Sequence, residues 1–135
     1  MNADLEVTDR NRQVVLDMYA AGMRGDVQGM LGHMAEQSFV LHEPPFLPYG
    51  RSYQGHAGML EAFAKIGEYL DVSSIEVDHV VAEGERVIVV LRATDRQSGE
   101  PVLLAEENVL HNGKVVEMRV FFHEARSLVA AGAAR

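Results

Sequence analysis

The chain contains no cysteine and no tryptophan. Without cysteine there can be no disulfide framework, thiol nucleophile or thiolate metal site. Positive charge is also scarce. Twelve Lys and Arg stand against twenty Asp and Glu, a net charge of -8. Such a chain lacks the basic patch that nucleic acid or an anionic membrane surface requires. No apolar run approaches the length of a membrane span. The first residues show no basic segment followed by an apolar one, so no signal peptide is expected and the cytoplasm is the default location. The six histidines never fall at HxH or HxxxH spacing, and there is no phosphate-binding glycine loop and no GxSxG elbow. Neither a metal nor a cofactor is expected.

Proline is nearly confined to one place. Three of the four prolines, and four of the nine aromatic residues, lie between Phe39 and Tyr53. Here a short β-branched and apolar run, Phe39-Val40-Leu41, ends in the ionisable pair His42-Glu43, and Pro44-Pro45 stops the strand because proline cannot donate to a ladder. Pro48-Tyr49-Gly50 adds a stiff turn. An acid at a strand end beside an aromatic loop is a way to build a pocket wall. On a strand His42 and Glu43 point to opposite faces, and Leu41 takes Glu43 inward with it.

At 135 residues the chain is one domain able to bury its own core. Thr8-Asp9 can open a first helix whose apolar positions run from Val14 to Met23 at helical spacing. Gly25 ends it and Asp26 can cap a second, with Val27, Met30, Leu31 and Met34 on one face. A third carries Met59, Leu60, Phe63, Ile66, Tyr69 and Leu70. From Ser74 the period changes to two, and four strands follow, the last two joined by Asn112-Gly113, a strong signal for a two-residue hairpin. The residues after His123 read as a frayed helix or tail. The order predicts an α+β domain in which three amphipathic helices cover one face of a curved sheet.

A regular two-residue hairpin pairs His111 with Lys114 and then counts outward. That register puts Leu103, Ala105, Glu107 and Val109 on the helix-covered face with Val116, Met118, Val120 and Phe122. It leaves Leu104, Glu106, Leu110, Arg119 and Phe121 on the opposite face, a mixed surface of the kind a homodimer uses. Glu107 is then an acid on an apolar face, and Glu43 and Glu107 look into one cavity. Two carboxyls in such a place do not both ionise freely.

These residues resemble the nuclear transport factor 2-like superfamily, and within it the SnoaL-like polyketide cyclase and ketosteroid isomerase-like group. The likeness spans roughly Thr8 to Glu124. It rests on the Gly25-Asp26 helix junction, on Phe39 to Pro44, on Tyr53-Gln54-Gly55-His56 opening the third helix, and on Asn112 to Glu117. The resemblance implies a cone of curved sheet and three helices, often a homodimer, with one deep apolar pocket per chain. It implies that Glu43, just before Pro44, stands where ketosteroid isomerases hold the carboxylate that moves the proton. A first-helix tyrosine and a protonated acid on a later strand complete that site. Tyr19 lies on the first helix, with Met18 at the aligned position; Ala105 falls at the acid's place, with Glu107 one pleat further on. Polyketide cyclases use an acid near the end of the last strand, where the nearest residue is His123.

The expectation is a cofactor-independent acid–base enzyme, an isomerase, cyclase or dehydratase, acting on a small, mostly apolar carbonyl compound. Glu43 would abstract a proton, with Glu107, Tyr19 and His123 as further catalytic candidates. Tyr49 is expected at the pocket mouth. Met18, Leu41, His42, Tyr53, Phe63, Met118, Val120 and Phe122 would shape the pocket. One alternative is a non-catalytic dimeric ligand-binding or accessory protein. Another is an epoxide hydrolase built on Glu43, Arg92 and Glu107.

Overall fold

The computed structural model describes residues 3–134. Helix α1 spans Ala3–Met23 and α2 spans Val27–Leu31. The short strands β1 (Val40–His42) and β2 (Ser52–Gln54) precede α3 (Gly55–Ile66). Four longer strands follow: β3 (Leu70–Glu83), β4 (Arg86–Asp95), β5 (Pro101–His111) and β6 (Lys114–Phe122), and α4 (Arg126–Ala133) comes last. The sheet is mixed, in the order β2-β1-β6-β5-β4-β3. It curls without closing, and the helices pack on it.

Local chemistry explains most boundaries. The first helix begins five residues before Thr8, because Asp4 and Glu6 in its first turn suit the positive end of the helix dipole. Thr8 is inside it, bonded back to the Asp4 carbonyl and accepting the Gly84 N–H from the β3–β4 turn. Gly25 at φ +79° ends the run, and the Asp26 carboxylate accepts the Gly29 N–H at 2.9 Å as N-cap of α2. The third helix stops at Ile66, so Tyr69 lies beyond it and Leu70 opens β3.

Two features depart from the expected order. Strand β2 is too short to show a period, and β1 finds its other neighbour far away, running parallel to β6 with Leu41 opposite Met118. The residues after His123 are not a loose tail. Helix α4 buries Leu128 and Ala131, and Ser127 donates to the buried Asp95 carboxylate. Burial would raise that carboxyl, but the bonds from Ser127 and from the Gln97 backbone hold it below its ordinary range. A Cβ at Gly132 would lie 2.5 Å from Pro48 Cβ, so α4 rests directly on the proline loop.

The decisive departure is a bulge. His111 pairs with Lys114 and Leu110 with Val115, as a two-residue turn requires, but Val109 then pairs with Glu117. Val116 has no partner, and every later pair is displaced by one. Asn108 faces Met118, Glu106 faces Val120 and Glu107 faces Arg119. Strand β6 keeps its expected inner residues Met118 and Val120, whereas β5 turns over. Leu104, Asn108 and Leu110 are buried; Leu103, Ala105, Glu107 and Val109 take the outer face. Strand β4 agrees, since buried Val87, Val89 and Leu91 pair with Asn108, Glu106 and Leu104.

Candidate functional site

A cavity of about 90 Å³ lies between the helices and the sheet. Helix α1 lends Met18, Tyr19, Gly22 and Met23; α2 and the segment after it lend Met30 and Met34. Leu41 and Glu43 come from the β1 end, Met59, Phe63 and Ile66 from α3, Val72 and Ile75 from β3, and Glu106 and Met118 from β5 and β6. Between Asp71 and Glu76 the β3 register slips against β4, which frees this stretch to bend over the opening. Tyr19 and Met23 also line a surface groove between α1 and β3.

Three polar side chains enter an otherwise apolar wall. Glu43 is 7% exposed and its Oε1 has no hydrogen-bond partner among the described residues. Its backbone N–H donates to the Arg51 carbonyl at 3.1 Å, which keeps the strand end in place while Pro44 turns the chain away. Tyr19 donates its hydroxyl to Glu106 Oε1. Behind them Asn108, fully buried, has its amide nitrogen 3.4 Å from the Tyr19 oxygen and 3.4 Å from the Val87 carbonyl.

Burial pushes the Glu43 carboxyl well above its ordinary range, and the Glu106 charge adds to the rise. Burial raises Glu106 too, but the Tyr19 hydrogen bond works against it. Burial, then the Glu106 charge, lifts the Tyr19 phenol far out of reach of neutral pH. The two acids are therefore unlike. Glu106 has a donor to hold its negative charge, and Glu43 Oε1 has none among the described residues. Of the two, Glu43 is pushed further toward the neutral form.

Several expected positions are corrected. Glu107 does not face the cavity: the Val116 bulge turns it outward, where it meets Arg86 at 3.4 Å. Arg92 pairs with Asp78 at 2.7 Å, so Glu43, Arg92 and Glu107 form no acid–arginine–acid set. His123 is exposed beside α4, its N–H donating to the Leu103 carbonyl. His42 lies between Ser52 and Glu117, at 2.9 and 3.3 Å, away from the cavity. Val120 and Phe122 pack in the core without lining the cavity. Tyr53 is a core residue whose hydroxyl donates to the Tyr49 carbonyl at 2.6 Å. Tyr49 is buried behind Glu43, not at the mouth. Its ring lies 5.7 Å from that of Tyr69, its hydroxyl has no hydrogen-bond partner among the described residues, and burial together with the Glu43 charge raises its phenol.

Glu43, Tyr19, Met18, Leu41, Phe63 and Met118 do meet around one cavity. Glu106 is the residue the sequence reading missed. The signal that bears on it lies in β4, where Arg86 and Arg92 alternate with apolar residues and so fix which face of the sheet is inward.

The model of the SnoaL-like domain matches residues 15–123. The chain belongs to this SnoaL-like family. No curated protein matches it. Among solved structures, an NTF2-like protein from Burkholderia xenovorans LB400 is 26% identical, covering 93% of this chain and 96% of its own, with a TM-score of 0.74. A protein from a soil-derived mobile gene cassette is 21% identical over 89% of this chain and 94% of its own, at 0.78. TerC, co-crystallised with polyporic acid, is 20% identical over 90% of this chain and 98% of its own, at 0.73. The last two share the fold. SnoaL-like domains have one architecture and many functions, so the reaction must be argued from the cavity itself.

Proposed function

We propose that this SnoaL-like domain is a cofactor-independent acid–base enzyme that isomerises a small, mostly apolar carbonyl compound. The observation that carries the proposal is the pair Glu43 and Glu106 in one apolar cavity, with only Glu106 supported by a donor. Glu106, ionised and held by Tyr19, accepts the proton from the carbon next to the carbonyl. Glu43, neutral, gives its proton to the carbonyl oxygen, and an enol results. Glu106 then returns its proton to another carbon of the conjugated system while the enol O–H returns its own to Glu43. The pair ends as it began, and no electrons or atoms are gained. This assigns Glu43 the role of acid and gives the role of base to Glu106. The co-crystallisation of TerC with polyporic acid supports a small organic ligand in this fold. We further propose a homodimer through the outer face of the sheet.

The test is conversion of a one-ring β,γ-unsaturated ketone to its conjugated isomer, followed by absorbance. Glu106→Gln should slow it by about 10²–10⁴-fold, the usual worth of a general base. Glu43→Gln, whose amide still donates a hydrogen bond, should cost less. The reverse order would return the base to Glu43. No catalysis by the unaltered protein, and no proton exchange in D2O next to the carbonyl, would leave the site a binding pocket.

A further inference from the structure

A second file of reactive side chains lies away from the cavity, on the outer face at the β2 edge of the sheet. His42 Nδ1 is 2.9 Å from Ser52 Oγ, and His42 Nε2 is 3.3 Å from Glu117 Oε2. An ionised Glu117 can only accept, so Nε2 carries the proton and Nδ1 keeps a lone pair for the Ser52 hydroxyl. The order is hydroxyl, imidazole, carboxylate: a nucleophile, a base in reach of its proton, and an acid that orients the base.

The strands impose this order. His42 lies opposite Ser52 across β1 and β2. The Glu43 N–H bonds the Arg51 carbonyl on one side, and the Gly55 N–H bonds the Phe39 carbonyl further along. By alternation His42 and Ser52 are a pair between hydrogen-bonded ones. Side chains stand closest in such a pair, and its backbone N–H groups point away from the partner strand. Strand β2 ends the sheet, so the Ser52 N–H points off an open edge, beside its own hydroxyl. Strand β6 runs parallel to β1, with Val40 level with Glu117 and His42 level with Arg119. Glu117 is thus diagonal to His42 on the same face.

Ser52 is exposed, and the His42 side chain behind it is only 25% exposed, so a substrate meets the hydroxyl first. Arg119, next in the row beyond His42, is exposed and makes no ion pair among the described residues. It is a free cation in a chain of net charge -8. Its backbone lies two strands from Ser52, roughly 10 Å away, a span that its own side chain and a four-carbon acyl group can bridge.

We propose that Ser52, His42 and Glu117 form a second catalytic site, which hydrolyses esters of short acyl groups that carry a carboxylate. Ser52 Oγ attacks the acyl carbon as its proton passes to His42 Nδ1, and the Ser52 N–H donates to the oxyanion. His42 returns that proton to the leaving oxygen as the C–O bond breaks, which leaves acyl-Ser52. Water then attacks the acyl carbon and gives a proton to His42. The serine oxygen takes it back as the acid departs. One water is consumed and no electrons change hands. Arg119 holds the carboxylate, and Glu117 is a positioning residue that touches no substrate. The site shares no residue with the cavity and does not rest on the acid–base proposal.

The test mixes the full chain with 4-nitrophenyl acetate and, separately, with the 4-nitrophenyl monoester of succinic acid. Nitrophenolate release is followed by absorbance, and samples quenched in acid are mapped by mass spectrometry. The acyl group should be found on Ser52. Ser52→Ala and His42→Gln, both surface changes, should each slow release at least about tenfold. Glu117→Gln should lower kcat with KM unchanged, and Glu117→Asp should restore part of the loss. At low salt the succinyl ester should react about two- to fivefold faster than the acetyl ester, the worth of an exposed charge pair, and Arg119→Gln should remove that preference. No release above buffer, release unaltered by Ser52→Ala or His42→Gln, or acyl groups found only on other residues overturns the site. Equal rates for the two esters overturn the carboxylate-bearing substrate.

Discussion

At the residue scale the cavity stores an electrostatic conflict. Glu43 and Glu106 both have folded pKa values above their unfolded ones. The folded state therefore binds more protons than the unfolded state over the interval between those values, and stability falls as pH rises through it. Below the unfolded carboxyl pKa both states are protonated and nothing is lost. Glu43→Gln should raise the melting temperature at pH 8, by roughly 2–8 °C for each kcal/mol recovered, and should leave it unchanged at pH 4. Calorimetry across that range checks the sign; a variant less stable at pH 8 would mean that Glu43 is ionised and well paired. Such a cost is the trade-off expected of the acid role proposed for Glu43. Glu43 was legible in the sequence because Leu41 fixes its face and Pro44 its position. Glu106 was not. Val102, Leu104, Glu106, Asn108 and Leu110 differ too little from Leu103, Ala105, Glu107 and Val109 for alternation to choose between them. Adjacent glutamates make either register look functional.

At the element scale the outcome turns on Val116. Helices α1, α2 and α3 follow from apolar spacing with Gly25 and Asp26 as punctuation, and the β5–β6 turn follows from Asn112-Gly113. A bulge carries no such sequence mark. It is imposed by contacts across the sheet: Met118 must face inward beside Leu41, while Leu91 and Val89 require Leu104 and Glu106 to do the same. Because the pairs on either side of Val116 already match, deleting that residue should give a regular hairpin with the same faces. The expected cost is at most about 1–3 kcal/mol. Deleting Arg119 has no such escape. It drives either Met118 or Val120 to the outer face and should abolish cooperative unfolding. Thermal melts of the two deletion variants compare them directly, and equal damage would argue against the bulge. The docking of α4 escaped the sequence reading for a related reason. Its anchor is Asp95, thirty-two residues before Ser127, and long-range partners leave no local period.

At the scale of the whole molecule the fold divides its two faces by task. The inner face carries the cavity. The outer face carries Phe121 and Val81, 52% and 56% exposed, with Leu103 and Ala105 between the Arg92–Asp78 and Arg86–Glu107 ion pairs. The expected outer set included Leu104 and Leu110, which the bulge takes into the core; Phe121 remains, and Leu103, Ala105 and Val109 replace them. The surface is still apolar at its centre and charged around it, the pattern of a protein interface. Light scattering at micromolar concentration should give a dimer, and Phe121→Glu should weaken it at least about tenfold by placing a charge where apolar area is buried. A monomer at that concentration would leave the face without the role proposed for it. No helix among the described residues is long and apolar enough to cross a bilayer.

The parallel pairing of β1 with β6 also governs the order in which the molecule can be made. Leu41 reaches its neighbour Met118 across seventy-seven residues, and the proline loop that follows Glu43 is pressed into place by Gly132. On a ribosome β1 emerges before β6 and must wait for it. Until β6 is released, the β1–β2 pair is an isolated ribbon, marginal on its own in water, and the Met-rich helices have no sheet to cover. Closure of so distant a contact makes folding slow and late. The cavity thus cannot form before β6, and a nascent chain stalled within β6 holds every residue of the cavity's helical wall but no cavity.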